Sequence, residues 1–531
     1  MDVQEAILTE IRSGRLRTKS DVQAAKLRLA REHNAKLLPT DADLWQSLPS
    51  HERETYRPLL QLKPTRTASG VAIVTVQVSP AWCPHGTCTY CPGGPNTNSA
   101  KSYTGFEPAA QRAARLEHDP YRQTADRIRQ LRTIGHPTDK VDFIVQGGTF
   151  TGREREYQEE FLRRCYDALN DDGRDESPAP TLQEAMRRNE TAPSRMIGLT
   201  IETKPDWALE PHLDVIIDAG ATRLELGAQT LQETVLERVH RGHTLAETRK
   251  ATQLAKDAGL KLVYHMMPGL PGSDPKKDVE DFRRLFEDED YRPDMLKIYP
   301  TLVIKGTQLY DEWQRGEYEP YDTATAAKVI AAAKRFVPPW VRIMRIDRDI
   351  PVPMIEAGID KSNVREIALD LLRREYGESC RCIRCREVGL RALKGDAPPK
   401  PEDLELVRRE YAASGGKEVF LAYEDPSRDL IAAYLRLRLP GAPHRPELRA
   451  ERTAIVRELK VNGPMVPIGD APLWEFQHRG LGQQLLDEAW RITKDEWALR
   501  RLHVISGPGV KPYYRRFGYR DDGAYLVREP E

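Results

Sequence analysis

The chain has 531 residues, too many for one ordinary core and enough for two or three domains. Its 81 Lys and Arg are matched by 81 Asp and Glu, so any attraction for nucleic acid must come from local patches and not from bulk charge. No apolar run reaches the roughly eighteen residues of a membrane span, and the N-terminus lacks the apolar stretch of a secretory signal; the expectation is a cytoplasmic protein with no membrane association.

Residues 5–37 read as helical and basic. From Arg12 to Lys36 the eight cations Arg12, Arg15, Arg17, Lys19, Lys26, Arg28, Arg31 and Lys36 stand against two acids, Asp21 and Glu32, which suits either a solvated helix face or a phosphate-binding arm. Residues 1–69 are therefore set apart as an N-terminal extension. From residue 70 the pattern turns to strand–helix alternation. Apolar strands are expected at 71–78, 141–146, 196–201, 222–227, 260–266 and 295–299, with helices at 123–133, 157–169, 209–218, 245–257 and 279–286. Six βα units predict an α/β fold, a partial (βα)6 parallel barrel over 70–350. A cysteine-containing linker is expected at 351–416, with a Pro-rich stretch from 394, and a smaller α/β domain at 417–531.

The seven cysteines are not scattered. Cys165, in FLRRCYDAL, reads as a small core residue. The other six form two triplets, which in a chain without an export signal point to metal sites and not to disulfides. In AWCPHGTCTYCPGG, Cys83, Cys88 and Cys91 are separated by four and two residues. Three such thiolates can hold three irons of a [4Fe–4S] cluster and leave the fourth open; the competing reading is a zinc knuckle completed by His85. With the aromatic Tyr90 before its last cysteine, the loop resembles that of radical S-adenosylmethionine enzymes. The loop follows the first strand. Gly147 and Gly148 follow the second, Glu202 and Lys204 the third, and Gln229 the fourth. His265 ends the fifth strand, and Lys297 and Tyr299 end the sixth. Right-handed crossovers bring all of these to one rim. There the glycine pair is expected to meet the amino group of S-adenosylmethionine through uncovered backbone, and Glu202 its ribose.

Cys380, Cys382 and Cys385, in CRCIRCREVG, fit a three-thiolate zinc site awaiting one more ligand, with a second iron–sulfur cluster as the competitor. Further on, Gln477, Gly480 and Gly482 form Q-x-x-G-x-G at the start of a helix. Free N–H groups and the positive dipole end there suit a pyrophosphate. With strands at 454–461 and 502–506 and the pair Tyr513–Tyr514, this order resembles the acetyl-CoA fold of GNAT acetyltransferases. In that fold a tyrosine can protonate the leaving thiolate.

A radical-SAM barrel joined through a cysteine triplet to a GNAT domain resembles the catalytic subunit of Elongator in its stand-alone prokaryotic form. The similarity runs nearly end to end, through CTYCPGGPNTNSAKSYTGFEP, ETKPDW, RLELGAQT, YHMMPGLPG, LKIYPTLVIKGT, RIMRIDRDIP, CRCIRCREVG, FQHRGLG and VISGPGVKPYYRRFGY. It implies that Cys83, Cys88 and Cys91 hold the cluster, that Cys380, Cys382 and Cys385 hold zinc, and that Tyr90, Gly147, Gly148, Glu202 and Lys204 belong to the cofactor site. It also implies that Gln477, Gly480 and Gly482 bind acetyl-CoA and that Lys297, Tyr513 and Tyr514 are catalytic. Arg342, Arg345 and Arg348 would meet phosphates. The partners implied are the tRNA anticodon stem-loop and a reductant or electron-transfer protein, with the chain a monomer or homodimer.

The reaction implied starts with reductive cleavage of S-adenosylmethionine. It continues through removal of hydrogen from the methyl group of acetyl-CoA and addition of that carbon to C5 of the wobble uridine, and ends with thioester hydrolysis to carboxymethyluridine. The alternative is a protein lysine acetyltransferase with a structural cluster. Either the two sites face each other across the domain junction or an intermediate travels between them.

Overall fold

The computed structural model describes residues 2–35, 37–174, 177–463, 476–477 and 480–530. Its first sheet holds β1 (Ala72–Gln77), β2 (Lys140–Gln146), β3 (Arg195–Thr203), β4 (Arg223–Gln229), β5 (Lys261–Met266), β6 (Met295–Ile298) and β7 (Arg342–Ile346). They lie in sequential order and all neighbours are parallel. The sheet is open, with β1 and β7 as its edges. Helices such as Pro120–Thr133, Arg155–Asn170, Leu245–Asp257 and Pro275–Glu287 carry the crossovers. Capping marks their starts: Asp119, Thr244 and Asp274 each accept a backbone N–H of the first turn, worth about 1 kcal/mol apiece. Alternation in β1 sends Ala72, Val74 and Val76 into the helix-covered core and leaves Ile73 and Thr75 on the concave side. Cys165 is fully buried in the same core.

The six strands expected from the sequence are present, and a seventh, β7, extends the sheet. It is the segment RIMRI that was expected to touch phosphates. Arg342 cannot do so: it is buried and forks onto the Glu387 carboxylate at 2.5 and 3.0 Å. Arg345 is paired with Asp349.

Helices Val3–Arg12 and Lys19–Glu32 pack with Asp41–Ser47 and Ser50–Leu60 around Ile7, Leu8, Val22, Leu44 and Leu60. Much of their positive charge is already met within the chain. Arg12 pairs with Glu5 and Glu52, Arg28 with Glu10 and Glu32, and buried Lys26 with Asp41. Lys36 lies outside the described residues.

The second sheet runs β13–β14–β12–β11–β10–β9–β8, from β8 (Glu405–Ala413), β9 (Gly416–Asp425), β10 (Leu430–Leu439), β11 (Ala454–Val461), β12 (Leu502–Val504), β13 (Arg520–Asp522) and β14 (Tyr525–Arg528). Only β11–β12 is parallel among the described pairs, and the helix Leu481–Arg491 packs on the sheet through Leu485, Leu486 and Ala489. The segment 405–413, expected as the end of the linker, is instead an edge strand of this sheet.

The junction between the sheets is charged and dry. Lys256, Arg436, Arg438 and Arg457 interleave with Asp257, Asp294, Glu418 and Glu458, and all eight are buried. Four positive charges thus meet four negative ones. The barrel's share comes from the N-terminal ends of its strands. Arg457 donates to the Leu260 carbonyl just before β5, Arg436 to the Trp340 carbonyl before β7, and Asp294 precedes β6. The second domain therefore docks on the rim opposite the one that carries the cysteine loop.

Candidate active site

The strand C-terminal ends open on a cavity of ≈ 490 Å³ lined by Cys83, Cys88, Cys91 and Tyr90 on one side and by Glu202, His265, Lys297 and Tyr299 on the other. The loop is pinned at both flanks: Thr89 N–H donates to the Val239 carbonyl at 3.1 Å and Leu309 N–H to the Thr89 carbonyl at 2.9 Å. Each sulfur has a polar neighbour. Thr149 Oγ1 lies 3.7 Å from Cys83, Ser102 Oγ 3.7 Å from Cys91, and the Arg241 guanidinium 3.8 Å from Cys88. Burial pushes the Cys83 thiol up and, with the nearby Cys88 charge, the Cys91 thiol to about 11. A bound cation is then what turns them into thiolates.

His85 sits with Nε2 at 3.3 Å from Cys88 Sγ, and burial together with Lys204 and Arg241 holds it neutral, its pKa lowered to about 3. Yet the loop cysteines and His85 supply no set of three ligand atoms within 4.8 Å of one another, whereas Cys380, Cys382 and Cys385 do. The wide spacing fits a multi-iron cluster, and the tight triplet a single ion. At the tight site Lys334 Nζ stands 3.5 Å from Cys380 Sγ.

Gly147 and Gly148 both have positive φ, 136° and 67°. A Cβ on Gly147 would come within 2.3 Å of Val78, and one on Gly148 would meet Lys101 at 3.1 Å and Cys83 Sγ at 3.5 Å. Glycine is needed at both positions to let the β2 turn approach the cysteine loop. Glu202 accepts from Tyr103 Oη at 3.0 Å and from Gly147 N–H at 3.3 Å. Tyr90 is buried against Cys88, Val235 and Met267, its hydroxyl without a hydrogen bond among the described residues. Lys204 differs from expectation: its side chain is buried, reaches Asp206 at 3.2 Å, and is not part of the cavity wall.

Sequence reasoning did not single out Glu225, which underlies Lys297. Glu225 Oε2 takes the Lys297 ammonium and, at 2.9 Å, His265 Nε2. Burial alone would raise its pKa; Lys297 and His265 overcome that and hold the carboxyl well below its usual range. Lys297 is in turn raised against burial, mainly by Glu225, and so stays charged. The signal was there, as an acid set between Leu224 and Leu226 in the buried strand RLELGAQ. Tyr103 and Arg241 were missed too, because they reach the cavity from loops that carry no strand or helix pattern.

In the second domain Gly480 caps the helix Leu481–Arg491 with φ 84°. The Tyr513 hydroxyl would lie 2.7 Å from a Cβ on Gly482, so Tyr513 points at the first turn of the helix. Burial pushes its hydroxyl up to about 12. Tyr514 is buried in the domain core with its ring edge-on to Tyr513 at 5.3 Å. The Gln477 side chain instead reaches the junction, accepting from Lys140 at 2.8 Å and donating to the Gly70 carbonyl at 3.3 Å. Glu475, His478 and Arg479 of the same run lie outside the described residues. No helix among the described residues is long and apolar enough to cross a membrane.

Known proteins carry the same plan. The profile of the Radical SAM superfamily matches residues 78–286, that of the Radical_SAM C-terminal domain residues 293–374, and that of the ELP3 N-terminal domain residues 1–68. A protein of Methanocaldococcus jannaschii named tRNA uridine(34) acetyltransferase is 46% identical over 98% of this chain and 96% of its own length. Elongator complex protein 3 of Saccharomyces cerevisiae is 42% identical over 94% of this chain and 90% of its own. The solved structure of the archaeal Methanocaldococcus infernus Elp3 with an N-terminal deletion superposes with a TM-score of 0.76 at 42% identity, covering 87% of this chain and 100% of that one. With identity of this extent from end to end, the chain belongs to the Elongator complex protein 3 family of the radical SAM superfamily.

Proposed function

We propose that the chain modifies the wobble uridine of tRNA, using acetyl-CoA and S-adenosylmethionine to place a carboxymethyl group on C5. The observation that carries this is the end-to-end identity with relatives named tRNA uridine(34) acetyltransferase, in a chain whose barrel rim gathers three cysteines and a charged Lys297 around one cavity. Cys83, Cys88 and Cys91 would hold a [4Fe–4S] cluster, which when bound supplies one electron to S-adenosylmethionine at an open iron. In this reading the Gly147–Gly148 backbone and Glu202 orient that co-substrate, Tyr90 closes the wall beside the cysteines, and Lys204 supports the turn from behind through Asp206.

Glu225 fixes the Lys297 ammonium in the cavity, where it can stabilise negative charge developing on the substrate. In the second domain the turn at Gly480 and Gly482 offers helix N–H groups to the pyrophosphate of acetyl-CoA, and Tyr513 holds the proton for the departing thiolate. Cys380, Cys382 and Cys385 would bind zinc and brace the segment between the two sheets. The protein would work in the cytoplasm and draw on a separate reductant. Mass spectrometry of tRNA nucleosides after anaerobic incubation with acetyl-CoA and a reductant tests the proposal. Carboxymethyluridine is expected, and tRNA that stays unmodified by an iron-loaded enzyme would overturn it.

A further inference from the structure

Most cations of the cavity are already engaged. Lys297 is held by Glu225, Arg345 by Asp349, Arg241 by the Gly227 carbonyl, and Arg348 by the Ser102 carbonyl. Three others are held more loosely: Arg112 by one backbone carbonyl, Arg127 by the Gln130 amide oxygen at 3.3 Å, and Arg66 by no side-chain hydrogen bond among the described residues. Arg66, in the short turn Pro64–Arg66 that leads from the N-terminal helices to β1, lines the same cavity as Arg112, on the helix Pro108–Arg115, and Arg127, on Pro120–Thr133. They gather beside β1, an edge strand with β2 as its one partner. Arg112 spends one Nη on the Thr75 carbonyl of β1 at 2.5 Å. It is only 8% exposed, and its Nε, like that of Arg66, is buried without a hydrogen-bond partner among the described residues.

No carboxylate among the described residues pairs with any of the three. The nearby acid, Asp126, is taken up by Arg115 and Arg129 at 2.8 Å each and by Gln130 at 2.6 Å. Glu107, also on the cavity wall, accepts the N–H groups of Thr104 and Gly105. Burial, then the charges of Arg66 and Arg112, push the Arg127 guanidinium down to about 10. Half-buried like charges with no counter-ion cost free energy that an anion would return, and guanidinium forks match phosphate oxygens.

We propose that Arg66, Arg112 and Arg127 form a phosphodiester subsite that grips the RNA backbone next to the target uridine; this rests on the reading of the chain as a tRNA-modifying enzyme. Three guanidiniums drawn from three elements along an open sheet edge suit an extended polyanion better than one small ion. Ile73 and Ile144 on the adjoining wall offer an apolar surface to the attached nucleoside. The subsite also joins the N-terminal helices, through Arg66, to the barrel.

The test is the affinity of the full-length chain for a fluorescein-labelled anticodon stem-loop RNA with uridine at the wobble position, measured across a salt series. Each of R66Q, R112Q and R127Q should lower the slope of log Kd against log salt by about 0.7, and so weaken binding about fivefold near ~0.1 M salt. R127K should keep most of the affinity. Acetyl-CoA binding, followed separately by thermal shift, should be unchanged. Equal affinity and slope in R66Q and R127Q, with the wild type binding, would overturn the subsite while leaving the enzyme reading intact. Loss of acetyl-CoA binding with RNA binding preserved would assign the arginines to the phosphates of CoA instead. Failure of the wild type to bind the RNA would remove the enzyme reading itself, and the subsite with it. R66Q and R127Q, at the two half-buried positions, keep the test open should R112Q fail to fold.

Discussion

Asp294→Asn should loosen the hold of the second domain on the barrel. Asp294 is fully buried, takes Arg457 through Oδ2 at 2.9 Å and Oδ1 at 2.5 Å, accepts the Leu262 N–H at 2.8 Å, and lies 3.5 Å from Lys256 and 3.7 Å from Arg436. The amide keeps the shape but removes one of four negative charges among four positive ones. Breaking a buried pair from one side costs about 3–5 kcal/mol, because the partner charge stays buried without compensation. Replacing both partners should cost less than the sum, so D294N combined with R457M should show a coupling energy of about 1–3 kcal/mol. Urea unfolding followed by far-UV circular dichroism measures the loss, and limited proteolysis between the domains reports where it falls. Trp340, stacked on Tyr411 at 4.3 Å across the junction, gives a local signal. A D294N protein within about 0.5 kcal/mol of wild type, or a double variant that is strictly additive, would refute the reasoning.

The same cluster sets a pH limit. Asp294, Glu418 and Glu458 are all held below their ordinary values; burial opposes this, but Arg457 or Arg436 leads the charges that overcome it. Their folded values lie below the unfolded ones, so their contribution is complete above about pH 4–5 and fades as pH falls further; an acid titration of stability that stayed flat below pH 4 would contradict this. In the second domain, Y513F should cut tRNA-dependent CoA release about 10²-fold or more with little change in stability, while Y514F should mainly destabilise; equal activity of Y513F and wild type would remove Tyr513 as the acid. At the tight cysteine triplet, elemental analysis of C382S should show zinc lost and iron retained, and iron lost together with zinc would argue for a cluster at that position.

Much of this was legible in the residues. Runs such as VDFIVQ and LVYHMM announce buried parallel strands by being mostly apolar, and each carries near its C-terminal end a polar residue, Gln146 or His265, that lines the cavity. β7 was harder to place, since RIMRI carries two arginines. It reads as a surface strand until Glu387, far along the chain, is seen to neutralise Arg342. β8 was hidden for a similar reason: its side chains are mostly exposed or half-buried, so it lacks the apolar pattern of a strand and was absorbed into the linker. The arginines beside β1 come from three separate segments, and only the fold shows that they converge without a counter-charge. Lys204 and Gln477 stood at motif positions, but motif position does not fix where a side chain points.

A barrel strand of six residues is about 20 Å long, and in this protein the sulfur-rich end and the docked domain sit at opposite ends of that length. In the proposed reaction an intermediate passing from one centre to the other would have that distance to cover. The open edge at β1, beside which Arg66, Arg112 and Arg127 gather, runs along that length.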